Sequence, residues 1–375
     1  MSLPEMRIII SGGGTGGHIF PAIAIADAIK ELVPDVKILF VGALGRMEME
    51  KVPAAGYKIE GLWISGLQRS LTIRNLSFPF KLIHSTWKAR KIIKDFKPHA
   101  VVGVGGYASG PTLRSAASLK IPTILQEQNS YPGITNKLLA SKADFICVAY
   151  PEMEKFFPKE KIILTGNPVR KDIMTTNVDK SEALSFFGLS EAKPVILCVG
   201  GSLGALTLNK SIHEGLKEFE DANIQVIWQT GKGYAETAVE AVRSLKSDGI
   251  KALPFINRMD LAYAVADVVI SRAGAIAISE LCLKAKPCIL VPSPNVAEDH
   301  QTRNALSLVS NEAAIMVRDS AAGESLVKIS IKLAGDKETC NKLSANIKKL
   351  AHPEAALEIA RIIINCANSK ETARK

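Results

Sequence analysis

The chain has 375 residues, a formal charge of +10, and 47% hydrophobic against 22% charged residues. That length suits two domains with sizeable cores and the composition excludes wholesale disorder, while the basic excess points to an anionic partner without naming it. Six cysteines without a C-x-x-C pair argue against a zinc ribbon or disulfide framework and fit a reducing cytoplasm; no signal-peptide core and no apolar run near the ~18 residues of a bilayer span are present.

In chain order, strand Arg7–Ile10 runs into Gly12–Gly17, then His18 and the helical run Pro21–Leu32. The glycines match G-x-G-x-x-G, but the next strand, Val36–Val41, leads into Gly42-Ala43 with no acid to hold a ribose, which weakens a nicotinamide-dinucleotide reading. What stands is a loop whose backbone N–H groups can approach an anion at a helix N-terminus. His18, beside those glycines, is a candidate general base.

From Arg69 to Lys97, eight basic residues face the single acid Asp95, with Phe78, Phe80, Trp87 and other apolar residues interleaved. Pro79 stops any helix crossing that point, and the spacing of Phe80, Ile83, Trp87, Ile92, Ile93 and Phe96 predicts a helix over 80–96. Two readings stay open: an amphipathic helix with a solvated basic face, or a membrane-surface patch centred on Phe78, Phe80, Lys81, Trp87 and Lys88. A nucleic-acid reading finds no accompanying module.

Strands Ala100–Val104, Thr123–Gln126 and Phe145–Val148 follow, the first leading into Gly103–Pro111 and the second into Gln126-Glu127-Gln128-Asn129. Polar side chains at a strand's carboxyl end suit hydroxyl recognition, and Glu127 is a candidate acid or base, with a structural role the alternative. Thr165–Arg170 punctuates the pattern with Gly and Pro. Strand Val195–Val199 then repeats the opening with Gly200–Gly204 and a helix over Asn209–Phe219. Strands Gln225–Gln229, Val268–Ile270 and Cys288–Val291 complete the second half; Ser271–Glu280 and Glu298–Asn304 follow the last two. Ser202 can join its loop's N–H groups in cradling a phosphate, and Glu280 can accept from two ribose hydroxyls. The apolar strands alternating with helices predict two doubly wound parallel-sheet α/β domains facing each other across a cleft.

The charge divides unevenly between these halves. Residues 1–170 carry +9 and residues 171–375 carry +1.

Seven motifs in order make the chain resemble the MurG glycosyltransferases: Gly13–His18, Gly105–Pro111, Glu127–Asn129, Gly166–Arg170, Gly200–Ala205, Ser271–Glu280 and Asp299–Ala305. The resemblance implies a GT-B fold with an acceptor and membrane domain over 1–166 plus a returning C-terminal helix of about 353–375, and a donor domain over 167–352. It implies an inverting enzyme on the cytoplasmic face of the bacterial plasma membrane that moves N-acetylglucosamine from UDP-N-acetylglucosamine to a lipid-linked muramyl-pentapeptide. By motif, Ile256 would meet uracil through its backbone, Glu280 the ribose, and Ser202, Ala275, Ile276, Ala277, Ile278 and Ser279 the diphosphate and sugar. Gln301 would contact sugar hydroxyls, and Thr15, Gly16, Gly17, Asn129 and Arg170 match further donor-contact positions. Two positions depart from the family pattern: Gln126 where His is frequent, and Ala277 where Thr is frequent. No Asp-x-Asp pair occurs, so activity without an obligatory metal or cofactor is expected. Related lipid-acceptor transferases, a UDP-sugar epimerase, a nicotinamide-dependent oxidoreductase and a non-catalytic membrane-binding protein are the alternatives.

Overall fold

The computed structural model describes residues 5–66, 77–175 and 178–372. The chain forms two compact units: residues 1–170 with 353–375, and residues 171–352.

The first unit is a seven-stranded, wholly parallel sheet. Its strands are β1 (Arg7–Ser11), β2 (Lys37–Ala43), β3 (Lys58–Leu62), β4 (Ala100–Gly103), β5 (Thr123–Glu127), β6 (Phe145–Val148) and β7 (Ile162–Leu164), in spatial order β3-β2-β1-β4-β5-β6-β7. The second unit is a six-stranded parallel sheet of β8 (Val195–Val199), β9 (Gln225–Gln229), β10 (Ile250–Leu253), β11 (Val268–Ser271), β12 (Cys288–Leu290) and β13 (Ile315–Met316), ordered β10-β9-β8-β11-β12-β13. Both are doubly wound sheets of the Rossmann kind, as the alternation of strands and helices predicts.

All nine strands expected from sequence form. The four that sequence reading left out, β3, β7, β10 and β13, are the four outer strands. An edge strand is shielded less completely, so β3 reads Lys-Ile-Glu-Gly-Leu rather than as an apolar run. The helix expected over Asn209–Phe219 divides into Leu206–Glu214 and Leu216–Asp221 at Gly215. A Cβ at Gly215 would lie 2.4 Å from Val327, so glycine is what lets helix Ala322–Gly335 approach.

The last helix, Ala355–Thr372, belongs to the first unit. Its Ile359, Ala360 and Ile363 are fully buried in one cluster with Ile8, Ile10, Ile25 and Ile29 of β1 and helix Gly16–Leu32.

Candidate active site

In the first unit the loop between β1 and helix Gly16–Leu32 interlocks with the loop after β4. A Cβ at Gly106 would lie 2.4 Å from the Gly13 carbonyl oxygen, and one at Gly105 would lie 2.8 Å from the His18 ring. These glycines allow two backbones and an imidazole to share one space. The His18 Nδ1 lies 3.1 Å from the Gly13 carbonyl oxygen and 3.3 Å from Thr15 Oγ1. A carbonyl only accepts, so Nδ1 carries a proton, and in the neutral ring the lone pair lies on Nε2, which faces Gly105.

Not every loop N–H is offered to an anion. Gly12 donates to the Val41 carbonyl at 3.3 Å, and Gly14 donates to Glu48 Oε2 at 2.8 Å. Helix Gly16–Leu32 has Thr15 at its N-cap without a capping side-chain bond and no acid in its first turn, which leaves Gly16 and Gly17 as its anion-facing end.

Glu127, at the end of β5, is fully buried. Four N–H groups converge on its carboxylate: the Asn129 backbone and side chain at 3.0 and 3.2 Å, Gly133 at 3.2 Å and Asn136 Nδ2 at 2.8 Å. Burial pushes this carboxyl above the usual range, while the four donors favour its charged form. So saturated, Glu127 shapes the turn carrying Asn129. Gln126 donates to Asn167 Oδ1 at 3.0 Å, and Asn167 donates to the Gln128 carbonyl, also at 3.0 Å. The position where the family often has His therefore ties β5 to the segment ending in Arg170. The Arg170 guanidinium lies over the Phe20 ring, 5.2 Å from its centre.

The second unit repeats the device. A Cβ at Gly204 would lie 2.1 Å from the Thr230 carbonyl oxygen, and one at Gly231 2.3 Å from that of Leu203. Gln229 joins three segments here: its amide donates to the Gly201 carbonyl at 2.9 Å and its Oε1 accepts from Ile256 N–H at 3.0 Å. With that N–H engaged, the Ile256 carbonyl is the backbone group left for a base. Ser202 is exposed in the loop. Helix Ala275–Leu283 starts at Gly274 with neither a capping side chain nor an acid in its first turn, a start suited to a diphosphate. On it, Ser279 Oγ donates to the Ala275 carbonyl at 2.9 Å, and Ile278 is buried while Ile276 and Ala277 are half-buried. Glu280 is 9% exposed and accepts from the Tyr263 hydroxyl at 2.9 Å. Gln301 Oε1 accepts from Ser293 N–H at 2.8 Å, fixing the side chain of the polar run after β12.

Residues 8–148 match the glycosyltransferase family 28 N-terminal domain and residues 195–359 the family 28 C-terminal domain. A transferase of Phocaeicola vulgatus named UDP-N-acetylglucosamine--N-acetylmuramyl-(pentapeptide) pyrophosphoryl-undecaprenol N-acetylglucosamine transferase is 56% identical over 99% of both chains. The like-named protein of Cytophaga hutchinsonii is 54% identical over 98% of this chain and 99% of its own. The crystal structure of Acinetobacter baumannii MurG superposes with a TM-score of 0.78 at 29% identity, over 96% of this chain and all of that one. The chain belongs to the MurG family. A UDP-N-acetylglucosamine 2-epimerase shares the fold (TM-score 0.63) at 14% identity.

The chain thus carries two clusters, each built on the carboxyl ends of parallel strands. His18, Thr15, Gly16, Gly17, Glu127, Asn129 and Arg170 lie in the first unit; Ser202, Ile256, Ala275–Glu280 and Gln301 lie in the second. Sequence reading passed over Glu48, Gln229 and Tyr263. Gln229 had a signal, since a polar residue ending an apolar strand is what drew notice to Gln126–Asn129. Tyr263 had none, because Glu280 is 17 residues away, and Glu48 had none, because one of its two backbone partners, Gly14, is 34 residues away.

The basic segment forms helix Phe78–Phe96, begun by Pro79 in its first turn; Arg69 and Arg74 lie outside the described residues. Ser85, Ala89 and Ile93 are its buried positions, whereas Phe80, Ile83 and Trp87 are 71%, 69% and 65% exposed. The expected apolar stripe therefore reaches the core only at Ile92, Ile93 and Phe96, and not at Phe80, Ile83 and Trp87. Three large apolar side chains stand in solvent, followed on the exposed side by Arg90, Lys91 and Lys94. Phe78 is half-buried. Lys81 donates to Ser65 Oγ at 3.2 Å and Lys88 to the Gly61 carbonyl at 2.8 Å, so both turn back towards β3 and the segment after it.

Proposed function

We propose that this enzyme transfers N-acetylglucosamine from UDP-N-acetylglucosamine to the 4-hydroxyl of the muramyl sugar of undecaprenyl-diphosphate-linked muramyl-pentapeptide, with inversion. The full-length likeness to transferases carrying that name supports the reading most directly. In this reading the acceptor hydroxyl bonds to the anomeric carbon as the bond to the UDP β-phosphate oxygen breaks, and the hydroxyl proton passes to His18 Nε2. His18 is the base because its tautomer is set for it, while the Glu127 carboxylate is held by four donors. Glu280, oriented by Tyr263, takes the ribose hydroxyls, the Ile256 carbonyl takes a uracil N–H, and Gln301 the sugar. The N-terminus of helix Ala275–Leu283 and Ser202 meet the charge growing on the leaving diphosphate, with Arg170, Thr15, Gly16, Gly17 and Asn129 in supporting contacts.

The reaction as proposed needs no bound metal. Among the described residues no group of three His, Cys, Asp or Glu is placed to hold one. Peripheral attachment to an anionic membrane, on its cytoplasmic face, would run through the exposed Phe80, Ile83 and Trp87 with the basic residues beside them. Among the described residues no helix is long and apolar enough to cross a membrane.

Transfer of labelled sugar from UDP-N-acetylglucosamine to a short-chain muramyl-pentapeptide lipid tests the assignment. His18→Ala should lose at least about a hundredfold in turnover with folding intact, and EDTA should leave wild-type turnover unchanged. Near-normal turnover in His18→Ala would remove His18 as the base. A loss in EDTA that Mg²⁺ restores would remove the metal-free reading.

A further inference from the structure

Glu48 is an acid buried without a cation within ion-pair range among the described residues, at 1% exposure, at the start of helix Glu48–Ala54. Its Oε1 accepts from Ala43 N–H at 3.0 Å and its Oε2 from Gly14 N–H at 2.8 Å. Room is made for it by glycines on two sides: a Cβ at Gly13 would lie 2.2 Å from the carboxylate and one at Gly42 2.6 Å from its Cγ.

The Gly14 N–H and the Gly13 carbonyl belong to one peptide group. In a trans peptide the N–H and C=O bonds point in opposite directions, so their dipoles are parallel and add. One end of this group donates to Glu48 at 2.8 Å, and the other accepts from His18 Nδ1 at 3.1 Å. We infer that Glu48 is a positioning residue for the reaction, acting on His18 through the Gly13–Gly14 peptide as a carboxylate–peptide–imidazole relay.

The relay works by polarisation, without proton transfer along it. A carboxylate on the N–H draws electron density towards the carbonyl oxygen, which becomes a stronger acceptor for the Nδ1 proton. That holds the ring in the tautomer with its lone pair on Nε2. When Nε2 takes the acceptor's proton, the carboxylate oxygen behind the peptide favours the imidazolium, while the Nδ1 proton stays on His18. Charged or titratable groups on the segments around this turn include Arg46, Glu50 and Lys51, which are exposed, Tyr107, whose ring turns to Gly66, and Arg170, which sits over Phe20.

The inference rests on His18 being the base, and its test separates the two. Glu48→Gln keeps an oxygen for Gly14 N–H and removes the charge. The His18 pKa, followed by NMR of the labelled ring and assigned with His18→Ala, should fall by about one unit. Turnover should fall at least about tenfold with the KM for UDP-N-acetylglucosamine within about twofold, and the acidic limb of the pH profile should move to lower pH by the same interval as the ring. An unchanged His18 pKa in folded Glu48→Gln overturns the relay. If the ring shifts and the acidic limb does not follow, the base assignment fails while the relay stands. Should Glu48→Gln not fold, the wild-type protein decides: the Gly14 amide resonance must titrate with His18, and an amide that stays fixed while His18 titrates overturns the inference.

Discussion

Tyr263, which is buried, and Lys286, which is half-buried, show what single polar groups contribute when they are withdrawn from water. The Tyr263 hydroxyl is positioned on Glu280 by 2.9 Å, and a hydrogen bond to a charged group is worth roughly 1.5–3 kcal/mol. Tyr263→Phe should therefore raise the KM for UDP-N-acetylglucosamine about tenfold and leave turnover at saturation within about twofold; an unchanged KM would detach Tyr263 from donor binding. Burial pulls the Lys286 ammonium down to about 8, with Lys180 and Lys284 pushing the same way and Asp267 opposing. Its folded value lies below its unfolded one, so between pH 8 and about 10.5 the unfolded chain binds more protons and stability rises with pH. Urea melts across that window should show the rise, and Lys286→Met should flatten it. At this scale the sequence showed His18, Glu127 and Glu280 because they sit within dense motifs. It hid Glu48, which reads as one acid among several in Arg46-Met-Glu-Met-Glu50, since its partners are backbone N–H groups of residues 14 and 43.

The glycine turns carry a packing role that motif reading alone does not separate from a ligand role. In each unit, the loop after the first strand interlocks with the loop of a neighbouring strand: β1 with β4, and β8 with β9. Gly201 and Gly204 make the separation measurable, because both have positive φ, +88° and +78°. A Cβ at Gly201 meets nothing within 4 Å, whereas one at Gly204 would lie 2.1 Å from the Thr230 carbonyl oxygen. Gly201→Ala should cost only the left-handed backbone term, about 1–2 kcal/mol, whereas Gly204→Ala must also move a neighbouring strand end and should cost several kcal/mol more. Equal costs in denaturant melts would contradict the interlock. The inner strands were legible because burial on both faces makes them apolar runs. The edges were not, since β13 is two residues long and β7 three, too short for any periodicity to register.

Across the whole molecule, the returning helix and the uneven charge are the features that need the full chain. Residues 355–372 complete the core of the first unit although 182 residues of the second unit separate them from it. This helix was expected only from the family resemblance, and its docking face is a long-range packing matter that no local periodicity encodes. Deleting residues 353–375 should unmask Ile8, Ile25 and Ile29 and destabilise the first unit's melting transition while sparing the second's. Charge makes a separate claim: +9 of the net +10 lies in residues 1–170, on the unit whose helix Phe78–Phe96 exposes Phe80, Ile83 and Trp87. Basic residues near an anionic surface gain about 1 kcal/mol each, a term that salt screens. Burying a large apolar side chain gains roughly 1.5–3 kcal/mol whatever the salt. The two contributions therefore separate by ionic strength. Wild-type binding to phosphatidylglycerol vesicles should weaken as salt rises and then level off at a residual apolar affinity. Phe80→Ser/Ile83→Ser/Trp87→Ser should lose that residual, bind at least about a hundredfold more weakly at high salt, and still turn over a water-soluble acceptor at the wild-type rate. Vesicle binding unchanged by the triple substitution would place the membrane contact elsewhere on the molecule, and lost turnover on the soluble acceptor would give this helix a role in folding or catalysis instead.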